Sequence, residues 1–366
     1  MIKFYQFTKL ELADVIRECQ APRALNSSAE ESLQWSNKMK HLLLSVVAAL
    51  SVVGLAETAS EKPSEKPAEK TSERPLKVLM VGNSFSISVC KEAPKIAAAM
   101  GRKLDLASLY IGGCPLSKHA NNLKGTNMQY GVGCDYCGVR KVAETPLGAV
   151  CGRNKKGGAI GNLRKVIAAD KWDVVTIQQA SHASWDEKTY QPHADRLIAA
   201  IRELAPQAEI RIQQTWSYCK GDSRICNRAT MGPGTWGFDQ TGMYERLTAN
   251  YRKLARDNGF KVIPMGLAVQ KFRAAQNITD YKGDVVGNVW PVKDDPAKKM
   301  KGDSIHLNSR GHYLQGLVWV GSLFDVDVTT CAYKPKNMSD DLARTLRDCA
   351  AAAIKEGSVF GKSSVP

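Results

Sequence analysis

The sequence predicts an α/β protein with three layers, α/β/α, in which helices cover both faces of a central, mostly parallel, five-stranded sheet. Two observations predict this fold class. Between residues 76 and 324, short apolar runs alternate with segments whose apolar residues recur at helical spacing. Such alternation favours a parallel sheet with helices on both faces. With 366 residues, 43% of them hydrophobic, the chain is also long enough for one main domain of roughly 250 residues.

The individual elements follow from local patterns. Residues 77–81 form an apolar run that is closed by Gly82 and followed by helical spacing over 87–100, which predicts a strand, a sharp turn and a helix. The other predicted strands are residues 104–110, 173–178, 209–214 and 261–264, and the other predicted helices are 160–169, 196–204, 244–258 and 309–324. Open parallel sheets bind ligands beyond the carboxyl ends of their strands. The long segments 114–156 and 216–241 are therefore expected to wall a cleft.

The N-terminal part of the chain has the pattern of an export signal. Met39-Lys40-His41 precedes an apolar run over residues 42–55, and the small residue Ala56 follows. This pattern predicts a secretory signal peptide over residues 39–56, because the run is shorter than the roughly 20 apolar residues that span a bilayer. Residues 1–38 are interpreted as an upstream extension that a misannotated start would explain. We expect an exported protein, located in the periplasm, at the cell surface or outside the cell.

Composition also sets the limits of the folded domain. Residues 57–75 repeat Glu, Lys and Pro with few apolar side chains, which predicts a disordered linker. The α/β domain is expected over residues 76–334, and a helical tail over residues 335–366 is expected to follow it.

The net charge limits the class of partner. The formal charge is +15 at pH 7, which attracts polyanions. A nucleic-acid partner is disfavoured, because the chain has no basic run with interleaved aromatic residues and no zinc-finger or RNP-like pattern. An acidic or substituted polysaccharide fits the charge better.

The ten cysteines favour disulfides, since an exported protein matures in an oxidising compartment. Several occur in local pairs: Cys134 with Cys137, Cys219 with Cys226, and Cys331 with Cys349. The alternative is a zinc site that combines Cys134, Cys137 and Cys151 with His119. Metal-binding cysteines are more typical of reducing compartments, so we expect no metal.

Gly82-Asn83-Ser84 directly follows the first predicted strand. A serine at the start of a helix has backbone N–H groups and the helix dipole directed at any developing oxyanion, so Ser84 is well placed for nucleophilic attack. The alternative is that Ser84 only caps the helix.

This turn resembles the first block of the SGNH/GDSL hydrolases, whose nucleophilic serine lies in a Gly-Asp-Ser-like turn after the first strand; here Asn83 replaces the aspartate. The family's last block resembles Asp303-Ser304-Ile305-His306, which leads into the final predicted helix. The resemblance implies that His306 takes the proton of Ser84 and that Asp303 orients the imidazole and stabilises its charged form.

The resemblance also implies the oxyanion donors. Gly113, with Gly112 as the alternative, matches the glycine of the second block. The third block departs from the family's Gly-x-Asn-Asp, so Gln178 is expected to replace the asparagine, with Gln179 or Ser181 as alternatives.

One motif is a decoy. Gly221-Asp222-Ser223 matches the Gly-Asp-Ser sequence literally, but it lies in a polar loop with neither a strand before it nor a helix after it. We expect no nucleophile there.

The resemblance implies a serine ester hydrolase without a cofactor. Export and positive charge favour an acylated polysaccharide, from which acetyl or similar acyl groups would be removed through an acyl-enzyme on Ser84. Trp185, Trp216 and Trp236 lie near the predicted loops and are either platforms for sugar rings or core residues. The alternative function is a non-catalytic carbohydrate-binding or cell-surface scaffold on the same fold, suggested by the departures in the first and third blocks.

Overall fold

The computed structural model describes residues 74–133, 142–225, 234–291 and 300–361. The predicted extension, the signal peptide and the linker up to residue 73 lie outside the described residues. Cys134, Cys137 and Cys226 also lie outside them, so the pairs that include these cysteines are not described.

The main sheet confirms the predicted α/β class and is wider than predicted. Its eight strands lie in the order β4-β5-β3-β2-β1-β6-β7-β8. The parallel strands are β1 (Leu76–Gly82), β2 (Leu104–Tyr110), β6 (Val174–Ile177), β7 (Glu209–Gln213) and β8 (Lys261–Ile263). Counted along the chain, these five lie in the order 2-1-3-4-5, which is that of flavodoxin-like sheets.

Three antiparallel strands extend the sheet beyond β2. They are β3 (Tyr130–Gly133), β4 (Gly152–Arg153) and β5 (Ala159–Gly161). β3 and β4 come from the segment 114–156 that was predicted to be a loop, and β5 overlaps the start of the helix that was predicted over 160–169. Each has only two to four residues and includes glycine, so the alternating pattern that indicates a strand is too short to be recognised in the sequence.

Helices cover the sheet on both faces, as in other doubly wound α/β folds. They are α1 (Ser84–Ile87), α2 (Ala93–Ala99), α3 (Leu116–Asn122), α4 (Leu163–Ala168), α5 (His193–Leu204), α6 (Gln240–Asn258), α7 (Met265–Ala275), α8 (Ser309–Phe324) and α9 (Asp340–Gly357). The predicted helix over 87–100 is divided into α1, a 3-10 turn at Ser88–Lys91 and α2. Pro94 explains the break, because proline is tolerated only in the first turn of a helix.

The core lies between β1 and the helices on either side. Residues 78–81 of β1 are buried, and α8 is apolar around most of its surface. At Gly316, α8 approaches α2 so closely that an added Cβ would lie 3.0 Å from the backbone nitrogen of Ala93. Helix α9 packs against α7 and α8, so the C-terminal helix is part of the core.

A second, two-stranded antiparallel sheet was not predicted. It pairs β9 (Val286–Pro291) with β10 (Met300–Leu307), and an irregularity in register lies between Asp303 and Leu307. This ribbon holds both residues of the Asp-x-x-His motif at the start of α8.

The structure corrects the disulfide predicted between Cys331 and Cys349, because both thiols are free and buried. The Cys331 thiol faces the Tyr333 carbonyl oxygen at 3.7 Å, and Cys349 lies on the buried side of α9. Burial raises the pKa of the Cys349 thiol to about 11. The described part of the chain contains no helix that is both long and apolar enough to cross a membrane.

Candidate active site

The turn after β1 positions Ser84 as the first residue of α1. Asn83 caps this helix, and its Oδ1 accepts a hydrogen bond from the backbone N–H of Phe85 at 3.1 Å. Gly82 is needed because a Cβ there would lie 2.6 Å from Oγ of Ser86. Since α1 is a single turn, a negative charge beside Ser84 would be stabilised by individual N–H groups rather than by the dipole of a long helix.

Ser84, His306 and Asp303 form one hydrogen-bonded chain. Oγ of Ser84 lies 2.8 Å from Nε2 of His306, and Nδ1 of His306 lies 2.8 Å from Oδ2 of Asp303. The side chains of His306 and Asp303 are 38% and 43% exposed, so the chain of hydrogen bonds lies open to a ligand. The structure thus brings Ser84 together with two residues that are more than 200 positions later in the sequence.

The environment of Asp303 favours its ionised form. Partial burial opposes ionisation, but hydrogen bonds from the backbone N–H groups of Ile305 and His306 and from the imidazole outweigh it, so the pKa of Asp303 is below its usual value. The two backbone bonds are 2.9 and 3.1 Å long and both reach Oδ1. Oδ2 therefore stays available to orient His306.

The loop after β7 fixes the segment that contains Asp303 and His306. The indole N–H of Trp216 donates to the Ile305 carbonyl at 2.8 Å, and the N–H of Cys219 donates to the Ser304 carbonyl at 3.0 Å. The Ser304 hydroxyl donates to Oδ2 of Asp222 at 2.6 Å. The literal Gly-Asp-Ser sequence therefore supplies a buried carboxylate that holds Ser304, while its own Ser223 is exposed.

The predicted oxyanion residues lie at the ends of neighbouring strands. Gly113 occupies the third position of a turn that the N–H of Cys114 closes onto the Ile111 carbonyl at 3.2 Å, and its φ of +59° is one that glycine adopts freely. Within the described residues, the backbone N–H groups of Gly113 and Ser84 have no acceptor.

The side-chain amide of Gln178 contacts the turn that carries Ser84. Its Nε2 donates to Oδ1 of Asn83 at 2.7 Å, which uses one of its two hydrogens. Of the alternatives, Gln179 is fully buried and uses its amide nitrogen on Thr189. Ser181 lies 3.0 Å from the Tyr218 hydroxyl. Gln178 thus has one amide hydrogen without an acceptor among the described residues, and Gln179 has none.

Most of the chain matches one known protein family. The family model of a domain of unknown function, DUF4886, matches residues 77–353. The chain belongs to this family. No curated protein matches it.

The crystal structure of a DUF4886 family protein from Bacteroides uniformis is similar in fold, with a TM-score of 0.59, 24% sequence identity, and coverage of 77% of this chain and 95% of that one. More distant similarity is found to the periplasmic domain of a lipopolysaccharide acetyltransferase from Salmonella ser. Paratyphi A (14% identity, TM-score 0.38, 69% and 85% covered). A phospholipase A1 from Streptomyces albidoflavus is similar at 14% identity, with a TM-score of 0.33 and 66% and 96% covered.

In this DUF4886 chain, Asn83 has a role that sequence analysis missed. Its Nδ2 donates to the Cys114 carbonyl at 3.2 Å, while its Oδ1 accepts from Phe85 and Gln178. An aspartate could not donate to Cys114, so the departure from Gly-Asp-Ser is matched by a partner that requires an amide. The signal in the sequence was the asparagine at the position where the Gly-Asp-Ser motif has aspartate.

The tryptophans divide between core and surface. Trp216 is fully buried and stacks on Phe85 with ring centroids 4.0 Å apart, so the core alternative is confirmed for it. Phe85 in turn contacts the His306 ring edge to face at 5.6 Å. Trp185 and Trp236 are partly exposed, with centroids 5.3 Å apart.

His119, the histidine of the alternative zinc site, lies on α3. It is fully buried, and its Nδ1 lies 2.9 Å from the Tyr130 hydroxyl. Burial, with a smaller contribution from Lys118, lowers its pKa to about 3. Cys151 is partly exposed, and the other two proposed ligands lie outside the described residues.

Proposed function

We propose that this protein is a serine ester hydrolase with Ser84 as nucleophile, His306 as general base and acid, and Asp303 as the residue that orients His306. The observation that carries the proposal is the pair of 2.8 Å contacts from Ser84 to His306 and from His306 to Asp303. A serine needs an adjacent base to attack at neutral pH, and the base needs a third group to fix its tautomer.

The reaction follows from these contacts. Oγ of Ser84 attacks the ester carbonyl carbon while Nε2 of His306 takes its proton. The tetrahedral intermediate collapses, the alcohol leaves with the proton from His306, and the acyl group remains on Ser84. His306 then takes a proton from water as its oxygen attacks the acyl-enzyme. When the second tetrahedral intermediate collapses, the bond between the acyl carbon and Oγ breaks, His306 returns the proton to Oγ of Ser84, and the carboxylic acid leaves.

The oxyanion would be held by three N–H donors. The backbone N–H groups of Ser84 and Gly113 have no acceptor among the described residues, and Gln178 retains one amide hydrogen. Preorganised donors of this kind each contribute about 2.7–4 kcal/mol of transition-state stabilisation in serine hydrolases.

The first experiment is covalent labelling with a fluorophosphonate probe, which reacts with activated serines. Wild type and Ser223→Ala are expected to be labelled equally, and Ser84→Ala is expected to remain unlabelled. Ser223 is the matched control because it belongs to the literal Gly-Asp-Ser sequence. If folded wild type is not labelled, the catalytic assignment fails and a non-catalytic scaffold is favoured.

For the substrate we propose acetyl or similar acyl groups on a polysaccharide. The net charge of +15 and the predicted export support this class. Acetate release from acetylated xylan and acetylated pectin should exceed release by Ser84→Ala, with p-nitrophenyl acetate as the small-ester reference. Hydrolysis of the small ester without acetate release from either polymer would contradict the substrate class and leave the chemistry intact.

Export is a separate proposal. The predicted signal peptide should be removed when residues 39–366 are expressed in a bacterium with a secretion pathway, so that N-terminal sequencing of the periplasmic protein begins at Glu57. Recovery of the uncleaved protein in the cytoplasm would contradict it.

A further inference from the structure

A cleft of about 640 Å³ begins beside the proposed oxyanion turn. It runs from Gly112, which precedes Gly113, across the antiparallel extension of the sheet to Asn154 on the connection between β4 and β5. Tyr110 at the end of β2 lies opposite Gly82 of β1 and opposite Gly131 of β3. β2, whose last residue lines the cleft, pairs directly with β1, which leads into the Ser84 turn.

The lining of this cleft is uncharged and mixes polar with aliphatic side chains, the aliphatic ones being Ile111, Val132, Ala159 and Ile160. It combines the aromatic ring of Tyr110 and the amide side chains of Gln129 and Asn154 with glycine backbone, and no Asp, Glu, Lys or Arg is among its described lining residues. Its volume lies within the roughly 300–1,000 Å³ of small-molecule sites. Amides both donate and accept hydrogen bonds, as hydroxyl groups do. These features fit a neutral, hydroxyl-rich ligand rather than an ionic one.

Two glycines flank the partly exposed ring of Tyr110. A Cβ on Gly112 would lie 3.3 Å from the Tyr110 hydroxyl, and one on Gly131 would lie 3.5 Å from its Cδ1. Neither glycine has a positive φ, and the contact at Gly131 would be an ordinary one. Backbone geometry therefore requires neither glycine, and packing does not require Gly131. Glycine inside a strand often marks the close approach of a ligand.

We propose that this cleft binds neutral sugar residues of the polysaccharide, with one ring stacked on Tyr110 and its hydroxyl groups bonded to Gln129 and Asn154. That this polymer carries the ester cleaved at Ser84 rests on the proposed function. An aromatic face packs well against the apolar C–H face of a sugar ring, while hydroxyl groups at its edge remain hydrogen-bonded.

The test is calorimetric titration of Ser84→Ala with xylohexaose, cellohexaose and mannohexaose, which needs no turnover. At least one hexasaccharide is expected to bind. In the same background, Tyr110→Ala should weaken that binding about tenfold, which is about 1.4 kcal/mol, because it removes the stacked aromatic face. Tyr110→Phe, which keeps the ring, should stay within about twofold.

Gly131→Val provides a second variant that does not remove a packed side chain. Valine suits a strand better than glycine, so this variant should fold, yet its side chain would fill the cleft beside Tyr110 and weaken binding about tenfold. Tyr333→Ala is the matched control, because Tyr333 is also partly buried but lies beside Glu92, outside the cleft lining.

Two results would overturn the assignment: no binding of any of the three hexasaccharides, or equal affinity in Gly131→Val and its parent. The result is independent of the labelling experiment. If a hexasaccharide binds but the probe does not label the protein, the sugar-binding cleft stands and the hydrolase assignment fails. If the probe labels the protein but no hexasaccharide binds, the hydrolase assignment stands and the sugar-binding cleft fails.

Discussion

The side-chain amide of Asn83 donates a hydrogen bond to the carbonyl oxygen of Cys114 across 3.2 Å. This contact joins the turn that carries Ser84 to the turn that carries Gly113. Because Gln178 also donates to Asn83, one amide connects the three strand ends from which the proposed nucleophile and oxyanion donors come.

Asn83→Asp should lower kcat for p-nitrophenyl acetate about ten- to hundredfold. A carboxylate cannot donate to Cys114 and would place two acceptor oxygens opposite each other, which costs about 1–3 kcal/mol in a buried site. KM should change little, since no contact to substrate is removed. Steady-state kinetics on the folded variant measure both constants. An unchanged kcat would show that the two turns are held together by other contacts.

Asp303→Asn should lower kcat by about 10⁴-fold, the loss seen when a triad aspartate is replaced by its amide. The backbone N–H groups of Ile305 and His306 could still bond to the amide oxygen, so the local structure should persist. The amide nitrogen would then face Nδ1 of His306 and favour the wrong tautomer. Thermal unfolding close to that of wild type is the control, and a loss of less than tenfold would contradict the role of Asp303.

The fold class, the Ser84 turn and the Asp303–His306 pair were predictable because their signals are local. An apolar run that ends in Gly82, and Asp303 and His306 three residues apart before a helix, can be recognised without any distant residue. The antiparallel extension could not be recognised in this way. β3 contains two glycines in four residues, and it is defined by pairing with Tyr110 of β2 rather than by its own propensity.

The contacts that hold the site were hidden for the same reason. Ser304 donates a hydrogen bond to Asp222, which is 82 residues earlier in the chain. No sequence pattern near either residue predicts this contact. The Gly-Asp-Ser sequence at Asp222 was not expected to supply a nucleophile, and its use as an acceptor for Ser304 depends on tertiary structure. Likewise, the sequence leaves open whether Trp216 is a platform for sugar rings or a core residue. Its stacking on Phe85 identifies it as a core residue.

Ser304→Ala should lower kcat about five- to tenfold and also lower the melting temperature. The hydroxyl is one of two contacts that fix the Ser304 backbone, and its loss leaves buried Asp222 with Arg224 as its remaining side-chain partner. A lost hydrogen bond to a charged group costs about 1.5–3 kcal/mol. Ser304→Thr, which keeps the hydroxyl, should recover most of kcat. If Ser304→Ala loses stability but keeps wild-type kcat, the contact serves the fold and not the site.

His119 should make the stability of the folded protein sensitive to acid. Its pKa falls from 6.5 to about 3 on folding, chiefly because burial disfavours the charged ring. Between these two values the unfolded chain binds a proton that the folded chain does not, so the free energy of unfolding must fall as the pH falls through this window and must be fully recovered above about 6.5. Each extra proton bound by the unfolded state contributes a slope of about 1.4 kcal/mol per pH unit.

His312, whose pKa is lowered to about 4 mainly by burial, adds a slope of the same sign, and carboxylates contribute equally to wild type and variants. Urea unfolding of His119→Asn at several values between pH 4 and pH 7 should therefore give a shallower dependence than wild type by about one such slope, and the double variant with His312→Asn should be shallower still. If the free energy of unfolding depends on pH equally in wild type and His119→Asn, the buried imidazole keeps its ordinary pKa in the folded state.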